Sequence, residues 1–99
     1  MNIKIKASIP FTEFGANEHL FENAKIEVWA SLSKDKLKLD QMSSSNNGSL
    51  NENTLNYWME EIKKSFDSDP EYVIDLITER MSQQEWNDAK YTITEYRNK

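Results

Sequence analysis

The hydrophobic period changes from two to about 3.6 near the middle of this chain of 99 residues, and that change limits the folds open to it. In the first half, apolar residues fall at every second position of three short runs; from Leu55 to Met81 they fall every three to four. A period of two puts alternate side chains on one face of a strand, whereas 3.6 gathers them into one stripe of a helix. Between the two lies Ser43-Ser44-Ser45-Asn46-Asn47-Gly48-Ser49, with no apolar residue and a high content of turn formers. Residues 43–50 read as a flexible polar loop dividing a strand-rich half from a helical half.

Ile3, Ile5, Ala7 and Ile9 alternate with Asn2, Lys4, Lys6 and Ser8, which predicts a strand over 2–9 ended by Pro10. In residues 11–24, Asn17 is placed to cap a short helix through Phe21 and Ala24. Ile26, Val28, Ala30 and Leu32 then alternate with Lys25, Glu27, Trp29 and Ser31, giving a second strand over 25–33. A helical ridge through Leu20, Ala24, Val28 and Leu32 competes, but it puts Lys25 inside its apolar arc and Ile26 outside. Leu37 and Leu39 alternate with Lys36, Lys38 and Asp40, so residues 36–41 form a third strand, joined to the second as a hairpin across Lys34-Asp35.

Beyond the polar loop, Ser49 and Glu52 have capping-box spacing, with Asn51 and Asn53 as rival caps. Leu55, Trp58, Met59, Ile62 and Phe66 share one stripe of a helix over 52–66. Asp69-Pro70-Glu71 offers a cap, a proline at the first helical position and an acid in the first turn of a helix over 70–84, with Val73, Ile74, Ile77 and Met81 on its core face. The short connection favours a helical hairpin. Asn87-Asp88 reads as a turn, and the β-branched and aromatic run from Tyr91 to Tyr96 as a last strand over 90–96. Trp58, Phe66, Trp86 and Tyr91 are read as core.

The whole is one α+β domain over 1–99: a small antiparallel β-sheet of about four strands covered on one face by a C-terminal helical hairpin. A chain this short does not support two cores. Its eleven aromatic residues supply the burial, each covering roughly 150–250 Å². Without cysteine there is no disulfide, thiolate nucleophile or cysteine zinc site.

Chemistry is sparse. His19 is the single histidine, which excludes a histidine-rich metal centre, and Gly15 and Gly48 are too few for a phosphate-cradling loop. Neighbouring carboxylates such as Glu60 and Glu61, or Asp67 and Asp69, do not converge into a desolvated pocket from one helix. The serine run has no nearby base and no strand–turn–helix elbow. The sequence thus predicts a non-enzyme with no metal and no cofactor. The N-terminus alternates instead of forming the apolar centre of a secretory signal, and no run approaches the ~20 apolar residues of a membrane span. A cytoplasmic chain with no membrane partner is expected.

Charge carries the functional reading. Residues 52–88 hold ten acids and three bases, whereas residues 1–51 are balanced and the whole chain has net charge −5. Glu71, Asp75 and Glu79 fall at i, i+4, i+8 as an acidic ridge, a spacing that destabilises a helix by roughly 0.2–0.5 kcal/mol per like pair. Glu60, Glu61 and Asp67 extend it. Carboxylates about 6 Å apart along a helix approximate the phosphates of a nucleic-acid strand, so this surface suits a protein with a basic surface, in the manner of a DNA mimic. The rival surface lies on the sheet, where Lys4, Lys6, Lys36 and Lys38 accompany Trp29 on the polar face and suit single-stranded nucleic acid or a homo-oligomer. In size, acidity and lack of catalytic groups, the chain is similar to the small accessory proteins with which phages and mobile elements block host enzymes, and to toxin-neutralising immunity proteins. That likeness is one of class and implies protein binding.

Overall fold

A computed structural model of the chain describes residues 2–16, 24–45 and 51–98. The expected helix start at Asn17 and the cap at Ser49 lie outside these residues. Three strands, β1 (Ile3–Pro10), β2 (Lys25–Leu32) and β3 (Leu37–Ser45), form an antiparallel sheet in the order β1-β2-β3. A 3-10 turn over Phe11–Phe14 follows β1 and closes on Gly15, whose φ of 99° is a left-handed conformation that glycine adopts without steric cost.

Period-two alternation sets the sheet's faces. Ile5, Ala7, Ile9, Ile26, Val28, Ala30, Leu32 and Leu37 are buried on the inner face. The hairpin between β2 and β3 is closed by the Ser33 N–H donating to the Lys36 carbonyl at 2.9 Å, and the Ser33 hydroxyl oxygen accepts from the N–H groups of Asp35 and Lys36. The strand pairing has one irregularity: Ala30 faces Leu39 while Trp29 faces Gln41, so Asp40 is an extra residue on β3. This bulge moves Met42 to the position opposite Val28. Strand β3 also runs through Ser43 to Ser45, where a loop was expected, because these serines pair in register with Glu27, Ile26 and Lys25. The expected loop residues 46–50 lie outside the described chain.

Three helices cover the inner face: α1 (Glu52–Ser68), α2 (Pro70–Glu79) and α3 (Gln83–Arg97). Asn51 caps α1, its Oδ1 accepting from the Thr54 N–H at 2.8 Å. Asp69 precedes Pro70 at the start of α2, but its side chain makes no capping hydrogen bond. Ile62 and Phe66 of α1 join Val73, Ile74, Leu76 and Ile77 of α2 in one core. Helix α2 is tied to the turn after β1 from both of its ends: the Arg80 guanidinium donates to the Leu76 carbonyl at 3.0 Å and to Glu13 at 3.2 Å, and the Tyr72 hydroxyl donates to the Glu13 carbonyl.

The C-terminal third departs from the sequence expectation. The second helix ends at Glu79 instead of residue 84, because the chain tightens into turns in which the N–H groups of Arg80 and Met81 reach Ile77 and Thr78, and Ser82 caps a new helix. The fourth strand does not exist: residues 90–96 belong to α3, and Asn87 and Asp88 are helical residues that accept from Gln83 and Gln84 one turn earlier. Ser82 and Glu85 form a complete capping box, each side chain accepting the other's backbone N–H. Ala89, Thr92, Ile93 and Tyr96 then fall on one buried helical stripe. Trp58 and Trp86 are half-buried and Phe66 is buried, as expected, but Tyr91 points away from this stripe and is 76 % exposed.

Candidate partner-binding surfaces

The acidic ridge is on the surface. Glu71, Asp75 and Glu79 are all exposed along α2, opposite the face that buries Val73, Ile74 and Ile77. Two of the three have a cation beside them. Arg97, in the last turn of α3, donates to Asp75, and Arg80 lies 3.7 Å from Glu79. Glu71 makes no ion pair among the described residues, but it faces Tyr96 closely enough to join burial in pushing that phenol above the ordinary tyrosine range. Glu60 and Glu61 are each held one turn along α1, by Lys63 at 3.1 Å and Lys64 at 3.5 Å. Asp67 is exposed, with no ion pair among the described residues. The bare negative charge is therefore narrower than the sequence suggested, centred on Glu71 and the Asp67–Asp69 corner where α1 meets α2.

The lysine surface is the sheet's outer face, which none of the three helices covers. Register places Lys4, Ser31 and Lys38 in one cross-strand row and Lys6, Trp29 and Gln41 in the next. Lys36 is exposed in the turn before β3, where it borders one surface hollow together with Lys38 and Ser31. This face is not purely basic. The Lys4 ammonium is 3.1 Å from Asp40 and also donates to the Ser31 hydroxyl, which in turn donates to Asp40. These two donors, Ser31 first and Lys4 second, hold the Asp40 carboxyl below the ordinary carboxylate range. Lys6 sits 5.1 Å from the centre of the Trp29 ring and 4.0 Å from Glu27.

A third feature, which the sequence reading did not single out, lies where β1's free edge meets the start of α3. A cleft of about 310 Å³ touches four consecutive β1 residues, Ile3 to Lys6, and is walled on its other side by Met81, Glu85, Asp88 and Ala89, with Trp29 at one end. Its signal was present in the sequence, since Met81, Glu85, Asp88 and Ala89 fall at i, i+4, i+7 and i+8, but reading Asn87-Asp88 as a turn broke that stripe. The Arg97–Asp75 pair joins residues 22 positions apart and has no local signature.

Among the described residues, no group of three or more His, Asp or Glu side chains is arranged to hold a metal ion, and no helix is long and apolar enough to cross a membrane. Comparison with protein-family models, curated proteins and solved structures found no match.

Proposed function

We propose that this chain is a non-enzymatic protein-binding module whose acidic α2 surface engages a basic site on a partner, occluding a surface that otherwise takes nucleic acid. The observation that carries this reading is the exposure of Glu71, Asp75 and Glu79 on a single ridge whose opposite face is committed to the core. Like charges at this spacing are unfavourable for the helix, so a cationic partner that relieves the repulsion gains binding energy from it. Glu71 is the centre of the contact. Asp75 is partly masked by Arg97, Glu60 and Glu61 are paired with lysines along α1, and Asp67 contributes its exposed carboxylate from the end of α1.

The test is capture from nuclease-treated lysate of the source cells, with the wild type beside Glu71→Gln/Glu79→Lys. Neither of these two positions is ion-paired to α3, whereas Asp75 is held by Arg97. A protein held by the wild type and lost by the variant supports the assignment; identical captured sets overturn it.

A second reading rests on Trp29, which is half-buried on the sheet's outer face beside Lys6. In it that face takes single-stranded nucleic acid by stacking and backbone contact. It ranks lower because Glu27 and Asp40 stand among the lysines and Lys6 already occupies one side of the ring. Quenching of tryptophan fluorescence by an oligonucleotide, weakening steeply with salt, supports it, and unchanged fluorescence removes it.

A further inference from the structure

The cleft beside β1 borders a strand edge. Four consecutive strand residues point their side chains alternately to two faces, so a cavity touching all of Ile3 to Lys6 must run along the strand and meet its main chain. Strand β1 is at the end of the sheet order, and among the described residues no strand pairs with its other side. Its outward N–H and C=O groups are a template for one more strand.

We propose that this edge accepts an extended segment of a partner protein, added as a fourth strand, with carboxylates at alternate positions and basic side chains between them. The two walls select that pattern. On the outer face Lys4 and Lys6 stand two residues apart, the spacing at which an added strand presents successive side chains of one face. The Lys4 ammonium is exposed and uses only two of its three donors, on Ser31 and Asp40. On the inner side the cleft's wall carries Glu85 and Asp88, which favour lysine or arginine at the intervening positions, and Met81 and Ala89 flank them as apolar surface for the stems of those side chains.

The same lysines disfavour a second copy of this chain. When two β1 strands pair antiparallel with their inner faces on the same side, even-numbered residues oppose even-numbered ones, so in the registers of greatest overlap Lys6 meets Lys6 of the other copy directly or diagonally. A shift by one residue removes that clash only by turning Ile5, Ala7 and Ile9 outward. An acidic strand is accepted in the register that self-pairing forbids.

The probe is a capped eight-residue peptide alternating Glu and Lys, titrated into the full isotope-labelled chain and followed by backbone amide NMR. Expected are shifts concentrated at residues 3–6 and 81–89 and slowed hydrogen exchange along β1. Methylating alternate backbone nitrogens of the peptide on its pairing edge should abolish binding. The Lys4→Ala/Lys6→Ala variant, with its fold checked by the same spectrum, should bind about tenfold more weakly, as expected from the loss of two exposed ion pairs. Shifts confined to α2, binding that survives N-methylation, or no shifts at millimolar peptide overturns the proposal. So does an oligonucleotide that occupies residues 3–6 when the peptide does not, or a concentration-dependent dimer through β1.

Discussion

Replacing Glu79 by lysine is expected to make the protein more stable while weakening the surface on which the proposed function rests. Glu79 is the last residue of α2, its side chain is 70 % exposed, and it stands one turn beyond Asp75. The present like pair costs roughly 0.2–0.5 kcal/mol, and an acid followed four residues later by a lysine gains a similar amount. A cation in the last helical turn adds roughly 0.3–1 kcal/mol through the helix dipole. Against this, the 3.7 Å contact with Arg80 is lost, and a surface pair of this kind is worth about 0–1 kcal/mol. The net expectation is a gain of about 1 kcal/mol, which for a domain of this size raises Tm by roughly 4–8 °C. Thermal unfolding followed by circular dichroism at low salt reads it. Because the gain is electrostatic, it should shrink in 1 M salt, where the screening length falls to about 3 Å. A Tm lowered by several degrees, or a gain indifferent to salt, refutes the reasoning and means that Glu79 has a structural role at the end of α2.

Other outcomes follow from the caps and titrating groups. Ser82→Ala removes half of the capping box that starts α3 and should cost about 1 kcal/mol, read as a Tm lower by roughly 4–8 °C. The Asp40 carboxyl is held low by Ser31 and then Lys4, and that of Glu85 by the backbone and then the hydroxyl of Ser82. Both therefore add stability that is complete above the ordinary carboxylate range, about pH 4, and lost as pH falls through their lowered values. Ser31→Ala should return Asp40 toward the ordinary range, measured by NMR titration of its side-chain carboxyl carbon. Burial raises the phenols of Tyr72 and Tyr96, with Glu13 and Glu71 respectively adding to the shift. Both rings resist ionisation in the folded state, so stability is retained below pH ~10 and declines above it, and tyrosinate absorbance from these two should appear late in an alkaline titration.

The sheet was legible because burial on one face leaves a period of two over residues 3–9 and 25–32, and the one helical ridge that competes, through Val28 and Leu32, leaves Ile26 outside its apolar arc. The first helix was equally clear from Leu55, Trp58, Met59, Ile62 and Phe66. Residues 90–96 misled because Tyr, Thr and Ile there have strand propensity, while the evidence for a helix lay upstream in the Ser82–Glu85 box and in the spacing of Ala89, Ile93 and Tyr96. Local propensity yields to a cap and a buried stripe when the two disagree. The Asp40 bulge was hidden for another reason. Its one-residue shift follows the last apolar pair on β3, after which Gln41, Met42 and the serines give almost no alternation to count. For the surfaces, exposure of Glu71, Asp75 and Glu79 followed from helical spacing alone. The neutralisation of Asp75 did not, because Arg97 reaches it only through the placement of α3 beside α2.

That neutralisation also provides the most direct measurement. Arg97→Ala frees Asp75 and makes the α2 surface more negative, whereas Glu71→Gln/Glu79→Lys makes it less so. With the captured partner, Kd should be measured for both variants and the wild type at two salt concentrations. The account predicts that affinity falls in the order Arg97→Ala, wild type, Glu71→Gln/Glu79→Lys, with the spread narrowing at high salt. Affinities that ignore this order in folded variants contradict the assignment of binding to the acidic ridge.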